Sequence, residues 1–333
     1  MPVDKNSTYR YLGNRANLMS LWDVQDRLRH PNDLNMPYGF KKKELITDKK
    51  DQWIHSVNTM NYPSAHITNK KYDTKELKSP LDREQAMLNG VVFNNKTQGN
   101  TPFKPNTNLL SNANQSLNNA DWIDSNHLKV NQNNGGVTFN LPKSIVKNYK
   151  DMYVEMDVEL LSPDKEHKVG VNEYSQERNR LSYKYRRFVS PVTMRTKSSS
   201  HLNITMSKGT YRFKVKGIYG EDYKTLKNAS QQLKTVKVKK ESNGFTITKQ
   251  QRDHGYLVLP MVYAEGMHAT ADGKPVKVQQ GNGIMTTIPV KEGQTTIRLT
   301  YTPPYFYLLI TISIIGSILS IIFTYYVKRK REK

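Results

Sequence analysis

The sequence predicts a mainly β protein. Two antiparallel β-sandwich-like domains follow a mixed α/β N-terminal region, and one transmembrane helix ends the chain. Three observations predict this. After residue 106, apolar and polar residues alternate with period two, as in half-buried strands. Turn sequences rich in Asn, Asp and Gly separate these runs. A nearly uncharged apolar run near the C-terminus has the length of a bilayer-spanning helix.

Residues 1–105 are predicted to form the mixed α/β region. Apolar residues of Ala16–Leu28 (ANLMSLWDVQDRL) fall near one face of a short amphipathic helix, which His30-Pro31 would end. Asp82–Asn89 has an acid-rich start and Gly90 just beyond its end, which predicts a second short helix. The residues between them, including PYGF and NYPSAHIT, indicate loops and short strands.

Residues 106–235 are predicted to form the first sandwich and residues 236–302 a smaller one. Alternation in the first is clear at three sets of residues, namely Val154/Met156/Val158/Leu160, Leu202/Ile204/Met206 and Tyr211/Phe213/Val215. The second has comparable sets at Val236/Val238, Phe245/Ile247, Leu257/Leu259, Val276/Val278 and Ile297/Leu299/Tyr301. Its turn signals are Ser242-Asn243-Gly244, Asp272-Gly273 and Glu292-Gly293, and Asp-Gly between strand-like runs favours a hairpin.

Residues 303–327 are predicted to span a membrane. Aromatic residues cluster at both ends of the run, as they do at membrane interfaces. Residues 328–333 form a basic tail, and positive charge beside a membrane helix marks the cytoplasmic side. The expected location is therefore the cell membrane, with a single pass, the N-terminal bulk extracytoplasmic and the C-terminus cytoplasmic. The alternative, a buried core helix, is disfavoured because such long uncharged runs are rare in soluble cores.

The first residues, MPVDKNSTYRYLGNR, lack the apolar segment of a signal peptide. Two explanations are open: the chain is tail-anchored with its bulk in the cytoplasm, or it is the last piece of a longer polytopic protein. A tail-anchored protein would place KRKREK outside, against the positive-inside trend. The last piece of a longer polytopic protein would keep KRKREK on the cytoplasmic side, and this second explanation is favoured.

Composition limits the chemistry. Cysteine is absent from the 333 residues, which excludes disulfides, thiolate metal sites and cysteine nucleophiles. The histidines show no metal-ligand spacing, and no phosphate-cradling loop is evident, so no cofactor is expected. The net charge of +22 attracts polyanions. An outward location favours membrane lipid and anionic wall polymers such as teichoic acid over nucleic acid. The plainer alternative is that scattered lysines only solubilise the surface.

Five residues are candidates for glycan or phosphate binding. Tyr38, Trp53 and Trp122 stand among polar residues and could stack on sugars, although such rings more often fill a core. Arg186 and Arg187 could bind phosphate, or form an ordinary charged strand edge. No catalytic residue is predicted.

A rival hypothesis is glycoside hydrolysis by the carboxylates of DMYVEMDVE, such as Asp157 and Glu159. Acidic residues at alternate positions of one strand are more often its solvated face.

The segment from Gly255 to Tyr301 resembles the C-terminal end of the bacterial YfhO family. The resemblance rests on GYLVLPMVYAEGM, Asp272-Gly273-Lys274, VKEG and IRLTYTP. Three N-terminal segments are also similar to that family, namely MPYGF, NYP and DREQAMLNG. The likeness covers essentially the whole chain. Two departures stand out: Met261-Val262 are inserted between Pro260 and Tyr263, and Met267 replaces a usual Trp.

The resemblance implies a piece of a polytopic membrane protein similar to GT-C glycosyltransferases, which add sugars to lipoteichoic acid or other wall polymers. It implies that the catalytic residues lie elsewhere, in an early outer loop, with a polytopic catalytic membrane subunit as a further partner. This chain would be the extracytoplasmic acceptor-positioning region. The alternative is a membrane-tethered surface binding or assembly module with no enzymatic role.

Overall fold

The computed structural model describes residues 12–48, 51–94, 101–163, 165–178 and 191–331. It confirms the mainly β fold class with one C-terminal apolar helix. The N-terminal region contains two helices and six short strands. In chain order these are α1 (Ala16–Leu21), β1 (Asp26–Arg29), β2 (Phe40–Asp48), β3 (Asp51–Asn58), β4 (His66–Thr68), β5 (Lys71–Asp73), α2 (Pro80–Asn89) and β6 (Val91–Phe93).

The helix predicted over residues 16–28 is shorter than expected. It ends at Leu21, because Asp23 adopts a left-handed backbone with φ of 58°. The following residues form β1, which pairs antiparallel with β3 in a three-stranded sheet of order β1-β3-β2. Leu28, assigned by the pattern to the buried helix face, is 58% exposed. At these residues, pairing of β1 with the distant strand β3 is favoured over the helix that the local pattern predicts.

The second predicted helix is confirmed as α2. Ser79 and Asp82 form a capping box, in which each side chain accepts a hydrogen bond from the other residue's backbone N–H. Proline occupies the first turn, where its missing N–H costs no hydrogen bond. The Asp82 carboxylate also accepts hydrogen bonds from the backbone and side chain of Asn106, which ties the helix to the start of the next region.

Two five-stranded antiparallel sheets follow and form the first sandwich. Its elements are β7 (Asn114–Asn118), β8 (Ala120–Trp122), β9 (His127–Val130), β10 (Gly135–Asn140), α3 (Lys143–Val146), β11 (Asp151–Ser162), β12 (His167–Val171), β13 (Tyr174–Arg178), β14 (Pro191–Lys197), β15 (His201–Met206) and β16 (Gly209–Glu221). The strand orders of the two sheets are β13-β12-β15-β10-β7 and β14-β11-β16-β9-β8. Side chains from both sheets, including the predicted alternating sets of β11, β15 and β16, form one core.

Helix α4 (Lys224–Gln232) leads into a second pair of sheets. Their strands after α4 are β17 (Lys234–Thr235), β18 (Lys237–Glu241), β19 (Gly244–Thr248), β20 (Gly255–Val262), β21 (Met267–Ala271), β22 (Lys274–Val276), β23 (Gln279–Gly281), β24 (Met285–Val290) and β25 (Thr296–Tyr301). The strand orders are β17-β4-β20-β24-β23 and β18-β19-β25-β21-β22. The N-terminal region contributes β4 to this second sandwich, between β17 and β20.

The three predicted turns connect strands in two different ways. Ser242-Asn243-Gly244 and Asp272-Gly273 each join two paired strands, as hairpins do. Asp272 and Gly273 both have positive φ, the conformation for which Asp-Gly is suited. Glu292-Gly293 instead carries the chain from one sheet to the other, because β24 and β25 belong to different sheets.

The last element, α5 (Phe306–Arg331), is long and apolar enough to cross a membrane, and its side chains pack against no other described part of the chain. It extends past the predicted end at Val327 into the basic residues. Lysine and arginine are good helix formers and favour a helix C-terminus, where the backbone carbonyls carry partial negative charge.

Candidate binding site

The structure places the three predicted aromatic residues in three separate places. Tyr38 stacks on Tyr223, with ring centroids 4.2 Å apart and planes 5° apart. Trp53 packs on His30 in the three-stranded sheet, at 3.9 Å between centroids. Trp122 packs on Phe213 at the edge of the first sandwich. All three rings are half-buried. They do not converge on one site, and their sugar-binding role stays a prediction.

The remaining sequence candidates give no site. Arg186 and Arg187 lie outside the described residues. The two carboxylates of the hydrolase hypothesis are paired with bases of the neighbouring strand: Asp157 with Lys216 at 2.8 Å and Glu159 with Arg212 at 2.5 Å. Both pairs lie along the β11–β16 ladder, as a charged strand face requires. Within the described ranges, no cluster of three or more His, Asp or Glu residues could hold a metal ion.

A cleft of about 370 Å³ lies where β6 meets the second sandwich. Its walls come from four parts of the chain: the end of β6 with Asn94, the start of β20 (Tyr256) and the residue just after it (Tyr263), the segment Lys277–Gln280 that leads into β23, and Gly281 and Gly283. Three aromatic rings and several amide side chains therefore face one space. We call this the β6–β23 cleft.

Backbone contacts fix its shape. The Asn282 side-chain oxygen accepts a hydrogen bond from the Val92 N–H at 2.8 Å, and the Asn282 N–H donates back to the Val92 carbonyl at 2.8 Å. Gly281 allows the close approach of the two elements, since a Cβ there would lie 2.8 Å from Val91 Cγ1. The cleft is therefore preformed by the joining of residues that are distant in sequence.

The chemistry of the cleft suits a carbohydrate or polyol. Phe93 and Tyr256 meet edge to face with centroids 5.1 Å apart, and Tyr263 adds a half-buried ring. Asn94 and Gln279 also line the cleft, and their side-chain amides can both donate and accept hydrogen bonds. Lys277 is exposed at the rim and supplies positive charge.

One wall of the cleft, at Tyr263, lies at the end of the second sandwich from which the membrane helix leaves. Tyr263 donates its N–H to the Ile284 carbonyl at 2.8 Å. Three residues later, the Gly266 carbonyl accepts a hydrogen bond from the Thr302 N–H at 2.9 Å. Helix α5 begins at Phe306, so the cleft wall and the helix start are separated by one short loop and its linker.

A buried ionic cluster joins the N-terminal region to the first sandwich. Arg15 binds Glu84 at 2.7 Å, and the Tyr153 hydroxyl donates to the same carboxylate at 3.1 Å. Burial raises the pKa of Glu84 to about 7, against the opposing effects of Arg15 and Tyr153. Glu221, whose pKa burial also raises, accepts a hydrogen bond from Asn17 at 2.8 Å.

A second part of this cluster centres on Asp151. Its carboxylate binds Arg195 at 2.8 Å and accepts a hydrogen bond from the Tyr223 hydroxyl at 2.5 Å. The side chains of Asp151 and Arg195 are both 0% exposed. No ligand could reach these groups without displacing the packed N-terminal region, so the cluster holds two regions together.

Sequence reasoning missed the cleft. Phe93 is 170 residues from Tyr263 and 184 residues from Lys277 in the chain, and no local pattern links them. One signal was present: Tyr256 and Tyr263 both lie in the segment that carries the family resemblance. The unusual amide-rich run Gln279-Gln280 beside Asn282 was a second.

The fold and the terminal helix define a β-sandwich protein with one candidate membrane-spanning helix. The family model described as bacterial membrane protein YfhO matches residues 1–313, and the chain belongs to this family. Uncharacterized protein YfhO of Bacillus subtilis (strain 168) is 31% identical over 332 residues, which are 98% of this chain and 38% of that protein. The chain thus spans 38% of the length of that curated relative.

Two solved structures share low similarity. The binding domain of botulinum neurotoxin serotype D is 8% identical, over 57% of this chain and 74% of that one, with a TM-score of 0.21. The binding domain of botulinum neurotoxin DC, in complex with rat synaptotagmin II, is 8% identical over 59% and 91%, with a TM-score of 0.13. Scores this low support no statement about this chain.

Proposed function

We propose that this chain is the extracytoplasmic acceptor-positioning region of a membrane glycosyltransferase-like protein that glycosylates lipoteichoic acid or a related wall glycopolymer. The observation that carries the proposal is the β6–β23 cleft. Its three rings, its amides and its lysine match the apolar faces, hydroxyls and phosphates of a sugar- or glycerol-phosphate chain. The membership of a membrane-protein family and the terminal helix support a site held near a bilayer.

The net charge and the shape of the cleft have separate roles in the proposed binding. The net charge of +22 raises the local concentration of a polyanion at long range, with a dependence on salt. The cleft then selects one stretch of polymer by stacking and hydrogen bonding. A polymer anchored in the same membrane would be held at a height set by the linker to α5.

Binding of the full chain in nanodiscs to purified lipoteichoic acid, measured over a salt series, tests the proposal. Tyr263→Leu keeps an apolar side chain but removes the ring, and we expect roughly tenfold weaker binding. We expect a similar loss for Lys277→Gln, because the charged partner of a phosphate is removed.

Lys274→Gln is the matched control. Lys274 and Lys277 are both exposed, and neither pairs with an acidic residue in the described part of the chain. Equal effects of the two substitutions would mean that only overall charge attracts the polymer, and would contradict binding in the cleft. Binding that is absent, or insensitive to salt in every variant, would contradict the proposed function itself.

A further inference from the structure

The length of α5 places its first residue at the membrane surface. The uncharged part, Phe306–Val327, is roughly 33 Å long at about 1.5 Å per residue. The hydrocarbon core of a bilayer is about 30 Å thick. With Lys328 at one boundary, Phe306 lies at the other. Tyr305 and Tyr307 are 75% and 74% exposed beside it, as interfacial aromatics are.

The end of the second sandwich is held against this helix start. The Gly266 carbonyl accepts a hydrogen bond from the Thr302 N–H. A Cβ at Gly266 would lie 2.1 Å from the Thr302 carbonyl oxygen and 3.3 Å from Pro304 Cδ, so the two backbones are already in contact. Pro304 is two residues before the helix. This end of the sandwich therefore lies within one short loop of the bilayer surface.

This end of the second sandwich exposes large apolar side chains. Val262 is 54% exposed and Tyr301 40% exposed, and Ile284 is half-buried next to them. We call Val262, Ile284, Tyr301 and Tyr305 the apolar rim. The turns at the far end of the same strands carry exposed charged side chains, namely Arg252, Asp272, Lys274, Lys291 and Glu292. A surface facing water would be expected to resemble that far end.

Positively charged residues lie near the apolar rim, where they can contact lipid headgroups. Lys239 and Lys240 are exposed on β18, whose hairpin with β19 ends on the same side as Tyr301. Lysines at this height can reach the phosphates of lipid headgroups while apolar neighbours contact the acyl chains. Glu265 and Glu241 are the acidic residues of this end, and Glu241 is paired with Lys239 at 3.3 Å.

We propose that the apolar rim is a membrane contact surface: it rests in the headgroup region of the same bilayer that α5 crosses. The second sandwich is then held at the membrane at two places, through the helix and through the rim. This contact fixes the tilt of the sandwich and brings the mouth of the β6–β23 cleft, whose Tyr263 follows Val262, next to the lipid surface. The inference concerns lipid contact alone and does not depend on which polymer the cleft binds.

A cysteine-free chain allows a direct test. The full chain carrying Val262→Cys is labelled with an environment-sensitive fluorophore and reconstituted in phosphatidylglycerol-containing vesicles, without polymer. We expect a blue-shifted emission and a loss of fluorescence when lipids with a nitroxide near the headgroup are included. The same label at Lys274→Cys, at the far end of the sandwich, is expected to keep its intensity.

Two outcomes overturn the proposal. Quenching of the rim label by aqueous iodide, with no effect of the nitroxide lipids, would show that the rim faces water. Protection from both quenchers would show that a protein segment covers it. Tyr301→Cys repeats the measurement at a second rim position, in case the substitution at Val262 disturbs β20. A failure of polymer binding with a positive rim result would count against the proposed function and leave the membrane contact standing.

Discussion

Gly266 is a single residue on which the geometry of the membrane linker depends. Its φ is 91°, a conformation that side chains rarely adopt, and an added methyl group would meet the Thr302 carbonyl oxygen at 2.1 Å. Gly266→Ala is therefore expected to lower the free energy of unfolding by about 1–2 kcal/mol from the backbone alone. It should further separate the loop from Thr302. Chemical denaturation followed by tryptophan fluorescence or circular dichroism measures the first effect.

Gly273→Ala is the control for backbone strain. Gly273 has a similar φ of 79°, and no atom lies within 4 Å of the position its Cβ would take. The two substitutions share the strain and differ only in the clash. A loss of stability that is the same for both would show that contact between Gly266 and the linker contributes nothing.

His66 is the residue whose titration most clearly follows from its surroundings. The side chain is buried, and Nδ1 lies 2.7 Å from the Pro63 carbonyl oxygen, which can only accept. Nδ1 therefore carries the proton of the neutral ring. Burial lowers the pKa of His66 to about 4. A lowered folded-state pKa gives stability that is complete above the unfolded value of about 6.5 and is lost as the pH falls through 4.

The expected loss from His66 is about 3 kcal/mol between neutral pH and a pH well below 4. His66→Gln should remove that part of the pH dependence, because an amide can still donate to Pro63 but does not titrate. His167, whose pKa burial also lowers to about 4, remains in both proteins and sets a common background. Identical slopes of unfolding free energy against pH would contradict this assignment.

At the scale of elements, the buried pair Asp151–Arg195 holds β14 to β11 and both to the N-terminal region. Arg195 reaches Asn35 of that region as well as Asp151. Arg195→Met is expected to cost about 3–5 kcal/mol, because it leaves a carboxylate buried without its partner. Equilibrium unfolding by denaturant measures the loss.

Lys197→Met is the matched comparison for the same carboxylate. Lys197 lies 3.3 Å from Asp151 but is 51% exposed, and exposed pairs contribute about 0–1 kcal/mol. If both substitutions had similar small effects, Tyr223 and the remaining hydrogen bonds would be sufficient to hold the charge of Asp151.

How much of each element the sequence predicts depends on where its stabilising contacts lie. Helix α2 is specified locally, by Ser79, Asp82 and Gly90, and it forms at the predicted place but begins two residues earlier, at Pro80. The alternating strands β11 and β16 are likewise specified by their own residues. Helix α1 is cut short because β1 finds a distant partner in β3, which no local pattern contains. The inserted pair Met261-Val262 coincides with a bulge between Leu259 and Val262, which leaves Val262 exposed.

At the scale of the whole molecule, the domains predicted as consecutive stretches are interleaved. The second sandwich includes β4 from the N-terminal region, and the β6–β23 cleft combines Phe93 with Tyr263 and Lys277. Local sequence patterns therefore predict the strands but not the site, because the site combines residues that are far apart in the chain. The site exists because residues 66–94 pack against the second sandwich.

Interleaving makes the N-terminal region necessary for the second sandwich. Ile67 in β4 is 5% exposed, lies in the core of that sandwich, and pairs with Leu257 on one side and Lys234 on the other. Ile67→Ala is expected to cost about 2–5 kcal/mol, the range for a buried methylene deletion of this size. Hydrogen exchange should show the loss in β20 and β24, more than 180 residues away in sequence. Ile46→Ala, at a position 39% exposed in β2, is the control and should have little effect. Unchanged protection of the Leu257 amide in Ile67→Ala would mean that the second sandwich folds without β4. Phe93, which forms one wall of the cleft, would then pack against a sandwich that is already folded.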